Sequence, residues 1–203
     1  HMLVEEHLRN GRVVPGMLAV LHGPLPEIVW LSNRKGALPA QKRVVLERAG
    51  LVNPESLDDY IVYDGYRALG KALTQMTPSD VIAEVDKAGL QGRGGAGFPT
   101  GRKWSFVVSA PGEPKYVICN ADESEPGTFK DRLILEGDPF SIIEAMTIAG
   151  YAVGAHEGYI YIRGEYPLAY KRLENAIHQA EAQGLLGEHI FGTLFDFNIH
   201  LHA

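Results

Sequence analysis

Five glycines fall within the ten residues from Gly92 to Gly101, with Arg93 among them and Arg102 and Lys103 directly after. Glycine costs backbone entropy, so a fold keeps that many only where the chain turns tightly or something approaches its backbone. Unpaired N–H groups in such a loop form an anion-binding concavity, and the flanking cations add fixed positive charge. A nucleotide phosphate is the natural guest. Phe98 and Trp104 lie alongside, where aromatic rings suit a base or a flavin, although core packing is their commoner use. The pattern lacks the Gly-Lys-Ser/Thr ending of a Walker loop and follows a helix rather than a strand. A plain surface loop is the alternative.

A second group stands just past an apolar run at residues 116–120. Asp122, Glu123 and Glu125 place three carboxylates within four residues, more mutual repulsion than a turn requires. Such a group suits a divalent cation, an acid–base carboxylate pair, or acceptors for ribose hydroxyls. The spacing lacks the alternation of a calcium loop, and an acidic solvated turn is the bland reading. Cys119 lies inside the apolar run and reads as a buried, inert thiol. His200 and His202 share one face of a strand with no third ligand in view, so no metal site is expected.

Composition narrows the classes. The 203 residues are 45% hydrophobic and 22% charged, ordinary for a globular protein of one domain, or one with a satellite. A net charge of −6 opposes a phosphate backbone, so nucleic acid is not an expected partner. A single cysteine excludes an internal disulfide and any iron–sulfur cluster held by this chain's own thiols. Glu144 interrupts the longest apolar run, residues 141–155, so no direct membrane insertion is expected. The first residues lack a basic segment followed by an apolar one, and cytoplasm is the expected compartment.

The elements that must position these groups can be read from punctuation. Residues 3–50 read as an arm, with a short helix over 37–50 closed by Gly50. Asn53-Pro54 predicts a helix start, with proline at its first position and Leu57, Tyr60 and Ile61 at helical spacing. A second helix is expected from Gly65 to Gln75. Thr77-Pro78-Ser79-Asp80 is a capping box opening a third, stopped by Gly89. After the glycines the period changes: a buried strand at 116–120, a helix from Asp138-Pro139, a strand at 159–163, a helix from Pro167 to Gly184, and a half-buried strand at 195–202. Strand–helix–strand alternation demands crossovers and hence a parallel sheet, whose ligands sit beyond the carboxyl ends of the strands. The expected fold is α/β: a Rossmann-like layered domain with a mainly parallel sheet, preceded by an N-terminal helical arm. The expected division is an arm or linker over 1–52 and the α/β domain over 53–203. A last strand ending at His202 reads as a domain cut at its sheet edge, hence an N-terminal fragment.

Three segments together carry a resemblance: GLQGRGGAGFPTGRKW at 89–104, NADESEPGTFKDR at 120–132, and YIRGEYP at 161–167. In that order and spacing the chain resembles the FMN- and NADH-binding flavoprotein subunit of respiratory complex I. The related diaphorase subunits of NAD-dependent formate dehydrogenases and hydrogenases share the pattern. The resemblance covers roughly residues 40–203. It implies that Gly92, Arg93, Gly94, Gly95 and Lys103 fall on flavin positions, with Ala96, Gly97 and Gly101 completing the cofactor-binding loop. By the same resemblance Phe98 and Phe106 stack against the NADH adenine, Asn120, Asp122 and Glu123 contact the flavin, and Glu125 faces the nucleotide.

The activity implied is hydride transfer from NADH to FMN, then one-electron transfer to iron–sulfur clusters of partner domains. The cofactors are FMN and NAD, with a [4Fe–4S] cluster in the parent protein but not in this chain. Implied partners are a thioredoxin-like [2Fe–2S] subunit or domain and the other subunits of a multi-subunit oxidoreductase. Through these the chain would sit in the cytoplasm or at the inner face of a membrane. Alternatives are a truncated nucleotide-binding module without turnover, or the diaphorase half of a soluble formate dehydrogenase or hydrogenase. Residues 3–14 resemble the tail of a thioredoxin-like domain, which tilts the parent towards the soluble enzymes.

Overall fold

The computed structural model describes residues 43–203. Most of the expected N-terminal arm, the part before residue 43, lies outside the described residues. In the described part, 43–50, the expected helix does not form. The chain turns instead, with Leu51 N donating to Arg48 O at 2.9 Å and Gly50 in the left-handed region at φ 85°. Val44 and Val45 are exposed, so a helix here would have no apolar stripe to bury.

Among the described residues four helices precede the sheet. Helix α1 (Leu57–Val62) starts at Ser56, whose hydroxyl accepts from Asp59 N at 3.2 Å. The expected start at Asn53 is displaced because its side chain closes a turn ahead of the helix, accepting from Glu55 N at 3.0 Å. Helix α2 (Arg67–Gln75) follows as expected, and α3 (Pro78–Lys87) carries the predicted Thr77–Asp80 capping box. Gly89, at φ 66°, ends α3 in the left-handed region. Helix α4 (Thr100–Ser109), directly after the glycines, has no counterpart in the sequence reading.

Strand β1 (Tyr116–Ala121) leads into α5 (Lys130–Gly137), also unanticipated, and α6 (Pro139–Val153). Strand β2 (Glu157–Ile162), α7 (Pro167–Ala182), a 3-10 turn at Ile190–Gly192, and β3 (Asn198–His202) complete the described chain. The last strand is shorter than expected. Phe197 leaves the ladder to exchange backbone hydrogen bonds with Gly187 at 2.8 and 2.9 Å.

The three strands form one parallel sheet in the order β1-β2-β3, as the alternation of strands and helices requires. Tyr116 lies opposite Glu157, and Glu157 opposite Asn198. Helix α6 packs on β1 and β2, and α7 on β3. They cover the face carrying Val117, Cys119, Ala121, Ile160, Ile162 and Ile199. The opposite face, with Tyr116, Ile118, Tyr161, His200 and His202, is exposed. Strand β1 is therefore half-buried rather than buried, because among the described residues its helices lie on one side only.

Two packing features lock the layers. The Phe197 ring lies against both Gly150 of α6 and Gly158 of β2; a Cβ on either would come within 2.4 and 2.8 Å of it. Glu144, buried on α6, accepts from Tyr60 Oη at 2.6 Å, Tyr66 N at 2.9 Å and Leu69 N at 3.0 Å. That carboxylate caps α2 and holds Tyr66 at φ 60°, a conformation costly for a residue with a Cβ. Arg48 adds a clamp from the N-terminal side, donating to Asp138 at 3.0 Å and to Tyr60 Oη at 3.3 Å.

Candidate functional site

The glycine stretch forms a narrow hairpin between α3 and α4. Gly92 N donates to Phe98 O at 3.1 Å and Thr100 N to Leu90 O at 2.8 Å, with Gln91 and Pro99 bridged antiparallel. Arg93, Gly94, Gly95 and Ala96 form an exposed tip. Among the described residues, no backbone acceptor takes the N–H groups of residues 93–97. A Cβ on Gly94 or Gly95 would meet nothing within 4 Å, and neither has a positive φ. The fold itself does not need glycine there. That is the condition expected where a ligand, rather than packing, requires bare backbone. Gly97 is different: its φ of 65° suits glycine on conformational grounds.

The hairpin runs straight into the N-terminus of α4, whose cap position is Pro99 and carries no side-chain hydrogen bond. Helix amides and their dipole thus add to the positive character of the loop. Arg93 and Lys103 are exposed at the surface beside it. Phe98 and Phe106 are exposed with ring centroids 6.1 Å apart, and the Arg102 guanidinium lies 5.7 Å from the Phe106 ring. Trp104 turns into the core instead, so it is not part of this aromatic pair. Gly101 is buried against the backbone of Asp86. Its place is explained by helix packing.

The acidic segment lies at the carboxyl end of β1. Asn120 Oδ1 accepts from Asp122 N at 3.2 Å, and Asp122 accepts from Ser124 Oγ at 2.8 Å. Asn120, Asp122 and Glu125 are exposed and open to a ligand. Glu123 is not. It is 2% exposed, and its carboxylate accepts from Asp131 N at 2.8 Å, Arg132 N and Tyr166 Oη, both at 3.2 Å. Burial pushes this carboxyl up, but the two amides, the Tyr166 hydroxyl and nearby Lys130 outweigh it and hold it below the ordinary glutamate value. The side chain of Glu123 caps α5, and Arg163 Nη1 donates to its backbone carbonyl.

Sequence reasoning missed this role of Arg163 and Tyr166, although both lie in the YIRGEYP segment. The only signal was that motif itself. Arg163 also pairs with Glu165 at 2.8 Å, which pulls that exposed carboxyl down to about 2. Beyond the carboxyl ends of β2 and β3 lies an open concavity of about 460 Å³, lined by Arg163, Tyr166, Tyr170, Lys171, Leu201 and His202.

Of the other candidates, Cys119 is partly buried, and burial raises its thiol to about 11, as expected of an inert cysteine. His200 is held by Glu157 at 2.7 Å and stacks on Tyr159 at 4.9 Å. Among the described residues no cluster of three or more metal-ligating side chains occurs, and no helix is long and apolar enough to cross a membrane.

Known proteins match the chain closely. The family model described as the Nuo51 FMN-binding domain matches residues 85–203. The NADP-reducing hydrogenase subunit HndC of Solidesulfovibrio fructosivorans is 55% identical over 161 residues, 79% of this chain and 32% of that protein. An NADH-quinone oxidoreductase subunit of Aquifex aeolicus is 55% identical over 158 residues, 78% of this chain and 37% of that protein. Among solved structures, an NAD+-reducing [NiFe]-hydrogenase in the H2-reduced state is similar at a TM-score of 0.58 and 28% identity, over 94% of this chain and 31% of that one. The chain thus spans about a third of the length of the curated relatives it matches. On these matches and on its parallel α/β architecture, the chain belongs to the Nuo51 FMN-binding domain family.

Proposed function

We propose that the chain is the cofactor-binding part of a flavoprotein NADH:acceptor oxidoreductase subunit, holding FMN and NADH. The observation that carries this is the bare tip at Gly94 and Gly95, where glycine serves neither conformation nor packing. The fit with a flavin nucleotide is chemical. Arg93, Lys103 and the amides of the hairpin and α4 suit a phosphate, and Asn120, Asp122 and Glu125 offer acceptors to ribose hydroxyls and ring N–H groups. Phe98 and Phe106 offer exposed rings for an adenine. Helix α4 ends where β1 begins, with Lys115 Nζ donating to Val108 O at 3.2 Å. The glycine hairpin precedes α4 and the acidic segment follows β1, and the match to the FMN-binding family supports a shared ligand.

A bound FMN would supply the hydride-accepting chemistry; the protein supplies orientation and charge. No nucleophile or acid–base pair is required of this chain. With one cysteine in the sequence, an iron–sulfur cluster that takes the electrons onward must be held by other thiols. A [4Fe–4S] domain, a thioredoxin-like [2Fe–2S] partner, and a cytoplasmic or membrane-peripheral setting complete the reading. Residues 53–203 are the binding unit and 1–52 the arm. The similarity to HndC and to the NAD+-reducing hydrogenase supports the diaphorase of a soluble hydrogenase as readily as complex I.

Fluorescence titration with FMN tests the proposal. Saturable binding that weakens at least about tenfold in the Arg93→Ala, Lys103→Ala double variant is expected, since two charge-assisted contacts are lost. Equal affinity in both proteins would overturn it.

A further inference from the structure

We propose that Tyr166 and Arg163 are positioning residues that latch the acidic segment to the carboxyl edge of the sheet, so that Asn120, Asp122 and Glu125 meet the nucleotide from a fixed backbone. The inference rests on the flavin reading above and assigns that site two residues outside its binding loops. Glu123 is the point of attachment. Its side chain faces inward between two exposed acids, and it takes three hydrogen bonds from two different elements. Two come from the first amides of α5 and one from Tyr166, at the entrance of α7. The fourth contact runs through the backbone, Arg163 to the Glu123 carbonyl.

Tyr166 is itself held firmly. It is buried, and the guanidinium groups of Arg132 and Arg163 each lie 5.2 Å from its ring centroid. Arg132 belongs to α5 and Arg163 directly follows β2, so the ring joins the element after the acidic segment to the chain leaving the neighbouring strand. Glu165 holds the Arg163 guanidinium from the solvent side. A segment with several exposed polar residues would otherwise be mobile, and ordering it on binding would cost affinity. The latch orders it beforehand.

Tyr166→Phe removes the hydroxyl and keeps the ring. Hydrogen exchange should show the Asp131 and Arg132 amides exchanging about fivefold faster, with the amides of β2 and β3 unchanged, and FMN affinity weakening by a similar factor. Arg163→Lys, which keeps the charge but loses the fork, should do the same. A uniform rise in exchange across the sheet would mean that Tyr166 only stabilises the fold, and would overturn the proposal. So would faster local exchange with unchanged FMN affinity. If the unsubstituted chain takes up no FMN, the flavin reading fails and the positioning role falls with it. If it binds FMN and both variants bind equally well, the latch alone is refuted.

Discussion

Gly101 and Asp86 meet backbone to backbone: a Cβ on Gly101 would stand 2.6 Å from both the Asp86 nitrogen and its Cβ. The contact brings α3 and α4 together just behind the glycine hairpin. One glycine of the loop thus sets helix separation, while Gly94 and Gly95 answer to nothing in the fold.

This division predicts opposite outcomes for the same substitution. Gly101→Ala should lower stability by about 1–3 kcal/mol, the range for overpacking against rigid backbone. Gly94→Ala and Gly95→Ala should leave the stability measured in urea within about 0.5 kcal/mol of the parent. Their FMN affinity should nonetheless fall markedly, because a methyl group would occupy space the ligand uses. Denaturation and FMN titration on the three variants check both halves. An alanine at 94 or 95 that binds FMN normally would remove the main support for the cradle.

Glu144 should be the most sensitive polar position of the core. Its carboxylate serves one hydroxyl and two amides of the segment that opens α2. Glu144→Ala leaves all three donors buried without partners and opens a cavity, so a loss of roughly 3–5 kcal/mol is expected. Calorimetry would show the transition lowered or lost. Glu144→Gln, which keeps an acceptor oxygen, should retain more of the stability than alanine does.

The capping carboxylate of Glu123 gives stability a pH dependence of known sign. Its folded pKa lies below the ordinary value of 4.5. Its contribution is therefore complete above about 4.5 and is lost as pH falls from there through the folded value. Asp138 opposes this, since burial raises its carboxyl above 3.8 despite Arg48, and its protonation favours the fold. Comparing the chain with Glu123→Gln isolates the first effect. Urea midpoints at neutral pH and about one unit below 4.5 should show a shallower acid loss in the variant. An identical loss in both would place the acid sensitivity elsewhere.

Much of this was legible from residue order. The Thr77–Asp80 box, the glycine stop at Gly89, and the prolines opening α6 and α7 are local devices, and the structure realises each of them. The parallel sheet followed from alternation alone. Helices α4 and α5 were missed because their first residues carry no capping side chain; Pro99 and Phe129 stand at those positions. The cap of α5 comes instead from Glu123, remote in sequence and therefore invisible to a local reading. The same distance hid the fate of the acidic triplet: two of its carboxylates stay at the surface, while the third turns inward to Tyr166. Strand β1 was misjudged as buried because apolar content does not tell how many faces a sheet has covered.

The order of the strands within the sheet also bears on how the molecule is made. Among the described residues each strand pairs only with its neighbour along the chain, so β1 gains its partner once β2 has left the ribosome, and β2 gains its second when β3 emerges. Of these three strands, none must be inserted between two that are already joined. The sheet can grow in one direction as it is synthesised, each crossover closing before the next begins.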